Sequence, residues 1–221
     1  MNLSTLTASQ VAEAVSKYNN IYGEMDKALW CLSRHCRNSL LEGRDIEVVE
    51  TLIWTVKSWW GIQGVRTETK TLMAQALARM EWSAELFDET TEISENAVSF
   101  AHHRVSALVL ELPRREFSLA SKTLHWLLPW RIPVYDRSVR QSLGISKDPP
   151  NPFSAYRETT QKLFSLARKF EAENPSWMGE IDPKSPLRAL DKYLWSLGGT
   201  QATVVRKPWK VVYQLGLDCN L

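Results

Sequence analysis

Long apolar runs are missing from this sequence. None reaches the roughly 18 residues that a membrane-spanning helix needs, so no membrane partner is expected. Cysteine is scarce, at three residues, and an odd count argues against a disulfide framework and for a reducing compartment. The opening MNLSTLTASQ has neither the basic start nor the apolar segment of a signal peptide, and a cytoplasmic protein is expected. With only nine glycines there is no glycine-rich phosphate loop, and neither G-x-S-x-G nor H-E-x-x-H occurs. These absences exclude the commonest phosphate-binding, esterase and zinc-protease readings. Charge of one sign is not in excess either: 27 basic residues face 25 acidic ones.

What is present is tryptophan, ten residues of it, in a chain that is 44% hydrophobic and 24% charged. Those proportions are those of a globular protein. A length of 221 residues can bury a substantial core in one domain, residues 1–221, or divide into subdomains at 1–112 and 113–221. Charge is unevenly distributed. Residues 81–112 carry seven acidic residues and one basic, whereas 113–147 carry seven basic and two acidic. The basic block, with Arg131, Arg137 and Arg140, is the electrostatic footprint expected of a surface that holds phosphates. A solvated charged surface is the ordinary alternative.

Read in order, the chain is helical with few breaks. Thr7 and Gln10 form a capping-box pattern opening a helix from about Ala8 to Tyr18. A second runs from about Met25 to Leu41 and ends at Gly43. Asp45 caps a third through Trp60, with Val49, Leu52, Ile53 and Val56 on one face, and a turn follows at residues 61–64. Thr67 begins a fourth to about Met80, and a fifth spans about Ala97 to Leu112. Asn151 and Pro152 start another after the linker KDPPNP, running to about Glu173. A proline-punctuated loop and a short helix through Leu197 complete the pattern. The tail from Thr203 is compatible with a strand pair, a docking arm or a helix. An all-α fold is expected, with at most a minor β or extended tail.

The most informative stretch is Phe117–Gly144. A helix from about Arg115 to Leu128 stops before Pro129. Asp136 stands where its carboxylate can accept N–H groups from the first turn of a following helix, which Gly144 closes. On a helical wheel Phe117, Ala120, Leu124, Leu127 and Leu128 make one apolar stripe, and Leu119 and Trp126 flank Lys122 on the other side. A helix apolar nearly all round is buried. Lys122 is then either a partly desolvated amine, a better nucleophile for being uncharged, or a side chain that snorkels to solvent. Trp126 and Trp130 beside the motif, and Trp59 with Trp60, could stack on an extruded base; core packing is the ordinary use of such rings.

Ser121-Lys122 with Leu124-His125-Trp126, followed by Ile132-Pro133-Val134-Tyr135-Asp136-Arg137, resembles the helix-hairpin-helix glycosylase superfamily of base-excision repair. It is most similar to the bacterial 8-oxoguanine DNA glycosylase OGG-fold proteins. The resemblance covers about Phe117 to Leu143, with weaker similarity around Leu52 to Val65. It implies a helical glycosylase-like bundle acting on DNA without metal or organic cofactor. It also implies Lys122 as the nucleophile attacking the sugar C1′ and Asp136 as the assisting carboxylate. Arg114, Arg115 and Glu116 stand where that superfamily carries a glycine-rich hairpin. Two other readings fit the same residues. One is a non-catalytic nucleic-acid or nucleotide binder on this scaffold, with protein partners in an antiphage defence complex. The other is a helical interaction protein in which Lys122 and Asp136 form a structural ion pair.

Remaining candidates are thinner. Cys31 and His35 are spaced to share a helix face, as metal ligands do, but no matching pair accompanies them. His102 and His103 point to different faces, and His125, in the central motif, lies about 60° from Lys122 on the wheel, which makes it a minor site candidate. No histidine has an arginine five to seven positions before it, which removes the usual helical-ribonuclease pattern.

Overall fold

The computed structural model describes residues 6–43, 45–60, 62, 65–88, 94–146, 148–173 and 185–197. Among them there are helices and no strands. The helices are α1 (Ala8–Glu42), α2 (Ile46–Trp59), α3 (Thr67–Arg79), α4 (Ala97–Leu110), α5 (Phe117–Leu127), α6 (Arg137–Ser142), α7 (Pro152–Glu173) and α8 (Pro186–Leu197), with a short 3₁₀ turn at Ala84–Phe87. The turn expected at 61–64 falls mostly outside the described residues. Lys147, the proline-punctuated loop before Ser185 and the tail from Thr203 lie outside them as well.

Most boundaries sit where local chemistry puts them. Thr7 and Gln10 exchange side-chain and backbone hydrogen bonds as a capping box. Asp45 accepts the Glu47 N–H, and Asn151 accepts from both Phe153 and Ser154 ahead of α7. The α6 helix ends with Gly144 at φ 71°, its N–H bonded to the Gln141 carbonyl and the Ile145 N–H bonded to that of Arg140. That is a Schellman arrangement, and the left-handed residue is where glycine avoids a Cβ penalty.

One expectation is corrected. The segments expected as separate helices at 8–18 and 25–41 are a single 35-residue helix that passes through Gly23. A helical glycine costs about 1 kcal/mol relative to alanine, which burial of one face can outweigh. Tyr18, Tyr22, Met25, Asp26 and Leu29 are all buried on that face, so packing across the junction holds the helix continuous.

Helix α5 lies at the centre, packed against α1, α2 and α4, while α8 packs against α1, α6 and α7. From Leu119 to Leu128 every residue of this segment is buried. Most of the buried apolar side chains between Leu6 and Leu194 join into one cluster that spans both halves of the sequence. No helix among the described residues is long and apolar enough to cross a membrane.

Candidate functional site

The site is assembled where α5 turns back into α6. His125 is the first pin. Its Nδ1 lies 2.6 Å from the Ile132 carbonyl, and burial, with the nearby Arg188 charge, pushes the imidazole down to about 3. The ring is therefore neutral at ordinary pH and donates through Nδ1–H. Ser121 is the second pin: the Tyr135 N–H donates to its hydroxyl at 3.0 Å, and the same hydroxyl lies 3.3 Å from the Tyr135 carbonyl. These two side chains from α5 fix the backbone immediately before Asp136.

Asp136 then serves two elements at once. Its Oδ1 accepts the Val139 N–H at 2.9 Å, capping α6, and its Oδ2 lies 2.9 Å from the Lys122 ammonium. Burial pushes this carboxyl up, but the Lys122 charge and the N–H groups of Val139 and Ser138 outweigh it and hold the group below the ordinary carboxylate value. The Lys122 side chain is 5% exposed and that of Asp136 is 18% exposed. Lys122 is buried and does not snorkel to solvent, yet it is not left among apolar groups alone. Its Nζ also lies 5.3 Å from the centre of the Trp60 ring, a cation–π contact.

A second charged group extends this one. Both Arg188 and Lys192 of α8 reach Asp26 of α1, at 2.6 and 2.9 Å. Arg188 also bonds Asp191 on its own helix, and Tyr18 donates to Asp26 at 3.3 Å. Arg188, Asp26, Asp191 and Lys192 are all buried. Burial lowers the Arg188 guanidinium's proton affinity, but Asp26, Tyr18 and Asp191 raise it further, and it stays charged. Burial pushes Asp191 up to about 6; Arg188 and Lys122 pull against it, while Asp136 and Asp26 reinforce it. Asp191 therefore feels both members of the Lys122–Asp136 pair.

The aromatic residues connect the two groups. Trp60 lies 6.0 Å from Trp126, and Arg188 sits 4.9 Å from the Trp126 ring. From Trp60 a series of ring contacts runs through Trp59 and Tyr22 to Trp195 and Tyr18, each between 5.0 and 6.1 Å. Trp59, Trp60 and Trp195 are half-buried, so this is the edge of the aromatic array that reaches solvent.

The other expected residues are placed variously. Trp126 is fully buried and Trp130 is 6% exposed. Trp130 packs on Trp30 at 5.6 Å, so both rings expected near a base are core rings here. Arg137 is exposed beside Asp136. Arg140 lies over the Tyr135 ring at 4.6 Å, whereas Arg131 donates to the Glu85 carbonyl at 3.1 Å, away from the pair. Cys31 is disulfide-bonded and Cys36 is free, whereas the odd cysteine count argued against a disulfide framework and for a reducing compartment. A disulfide sulfur supplies no thiolate, so Cys31 and His35 make no metal pair.

Asp26, Arg188, Asp191 and Lys192 were missed by sequence reasoning. The available signal was Asp191 itself, which falls between Leu187 and Trp195 on the wheel, a charge set inside an apolar stripe. Compared with protein families, characterised proteins and solved structures, the chain matches none.

Proposed function

We propose that the Lys122–Asp136 pair is the reaction centre of a helix-hairpin-helix-type DNA glycosylase with lyase activity, acting on an oxidised purine in cytoplasmic DNA. The observation that carries this reading is the 2.9 Å contact between a buried lysine on one helix and the carboxylate that caps the next. In the reaction, the ammonium gives up one proton, the free amine forms a bond to the sugar C1′, and the bond to the base breaks. The base leaves with the electron pair and takes up a proton, and the amine–sugar adduct opens to an imine. Asp136 is the nearest acceptor for the lysine proton. Because its carboxyl is held low, that transfer is uphill in the resting site, and a substrate must displace or weaken the pair before attack. Ionised Asp136 is suited to stabilise positive charge on the sugar. Arg137 and Arg140, next to the pair, are suited to the flanking phosphates.

The near-complete burial of Lys122 favours a second reading. In it the pair is structural and the scaffold binds nucleic acid or a nucleotide without chemistry, alone or in a defence complex with other proteins.

Borohydride separates the two. A lysine–sugar imine is reduced to a permanent protein–DNA bond, visible as a shifted band on a duplex carrying an oxidised guanine or an abasic site. The parent protein should give the band and Lys122→Gln should not. No band on either duplex removes the lysine mechanism; a band that survives Lys122→Gln assigns the attack to another amine.

A further inference from the structure

Helix α1 carries a second constellation, none of whose residues belongs to the Lys122–Asp136 pair. Cys31, Arg34, His35, Asn38 and Leu41 recur at three- and four-residue steps and therefore form one stripe. With Arg37 and Phe87 they line an open depression of about 460 Å³. That lies inside the range of about 300–1,000 Å³ usual for small-ligand sites. Among the described residues, no carboxylate lines the depression.

The depression has a fixed part and an open part. Phe87 stacks on Trp82, with ring centres 5.4 Å apart and planes 8° from parallel. The buried Arg37 guanidinium lies 4.2 Å from the Trp30 ring, 5.2 Å from Trp130 and 5.5 Å from Phe87. It also reaches the Trp126 carbonyl at 3.4 Å, which ties this wall to α5 one turn past Lys122. Around that fixed wall, Arg34 and Asn38 are exposed and His35 is half-buried.

We infer that this depression binds a mononucleotide, with the phosphate against Arg34 and His35 and the base against Phe87. A guanidinium offers a planar fork of donors that matches phosphate oxygens, and the imidazole adds a donor beside it. The Phe87 ring is a planar apolar partner for a base. Asn38 both donates and accepts, which suits the edge of a purine. This goes beyond the proposed reaction, because none of these side chains belongs to the Lys122–Asp136 pair.

The test uses the full chain without DNA. Deoxyadenosine monophosphate is titrated against intrinsic tryptophan fluorescence, with inorganic phosphate and deoxyadenosine titrated separately. Trp82 packs on Phe87 and Trp130 on Arg37, both lining residues, so occupancy should change their emission. Saturable binding of the monophosphate is expected, tighter than for either fragment. The double variant Arg34→Ala/His35→Ala, whose side chains reach solvent, should weaken it by at least about tenfold, as loss of charge-assisted hydrogen bonds does. Phe87→Leu should weaken the nucleoside more than phosphate. No saturation into the millimolar range overturns the inference, as does binding that persists unchanged in the double variant. A loss caused by Lys122→Gln alone would put the nucleotide at the other site and overturn it too. Because no covalent trapping is involved, failure here leaves the borohydride result standing, and the reverse holds.

Discussion

At the residue scale, two aspartates near one lysine are driven in opposite directions by their surroundings. Asp136 has a cation and two N–H donors and is held low, whereas Asp191 is pushed up to about 6 by burial among other carboxylates despite its arginine. An unfolded aspartate titrates near about 3.9. Native Asp191 therefore takes its proton before the unfolded chain does. Its contribution to stability is complete below the unfolded value and is lost as pH rises through about 6. Asp136 runs the other way: its contribution is present above the unfolded value and is lost as pH falls through its native one. Between pH about 7 and about 5, the region set by Asp191, the parent should gain stability relative to Asp191→Asn. Urea midpoints of the two proteins across that interval provide the measurement. A constant difference would mean that Asp191 titrates like an exposed aspartate.

At the element scale, α5, the crossing and α6 form one unit pinned by Ser121, His125 and Asp136. The cap and the ion pair share a single carboxylate, and substitutions can separate them. Asp136→Asn removes the charge but keeps an oxygen for the Val139 N–H, whereas Asp136→Ala removes both. An N-cap contributes about 0.5–2 kcal/mol, so the alanine variant should be the less stable of the two by about 1 kcal/mol. Equal urea unfolding curves would show that the Val139 hydrogen bond adds nothing. The unit's limits were legible because each carries a local stop or start: Pro129, Asp136, Gly144, Asn151. The division expected within α1, between Tyr18 and Met25, has no such stop in the folded chain. Gly23 is a genuine local weakness, and only the packing of Tyr22, Met25 and Asp26 overrides it.

At the scale of the whole molecule, Asp26 joins α1 to α8 across 162 positions of sequence. Removing one partner of a buried pair typically costs about 3–5 kcal/mol, because the other charge is left uncompensated. Asp26→Ala should be destabilising on that scale, since Arg188 would keep Asp191 and the Tyr18 hydroxyl, and Lys192 the Asn19 side-chain oxygen, without the carboxylate that both cations share. Replacing the whole buried group, Asp26→Leu/Arg188→Leu/Asp191→Asn/Lys192→Met, should recover part of the loss, because no unpaired buried charge remains. A fourfold variant no more stable than Asp26→Ala would mean that the packing of these side chains, and not their charge, holds α8 in place. Chemical denaturation of the three proteins decides it.

By itself the sequence determined the helical class, nearly every helix limit, the central burial of α5 and the Asp136 cap. All of these follow from interactions between residues a few positions apart, or from a periodicity that any apolar face displays. The placement of Lys122 against Asp136 was half legible, since the crossing between their helices is short and its prolines restrict its path. Which rings are sealed and which reach solvent was decided only by the tertiary structure. Trp126 and Trp130 looked like candidates for base contact and became core, while Trp59, Trp60 and Trp195 hold the exposed edge. The second charged group was likewise invisible. Asp26 and Arg188 are ordinary surface-type residues in their own helices, and a buried charge becomes tolerable only when folding brings its partner from the far end of the chain.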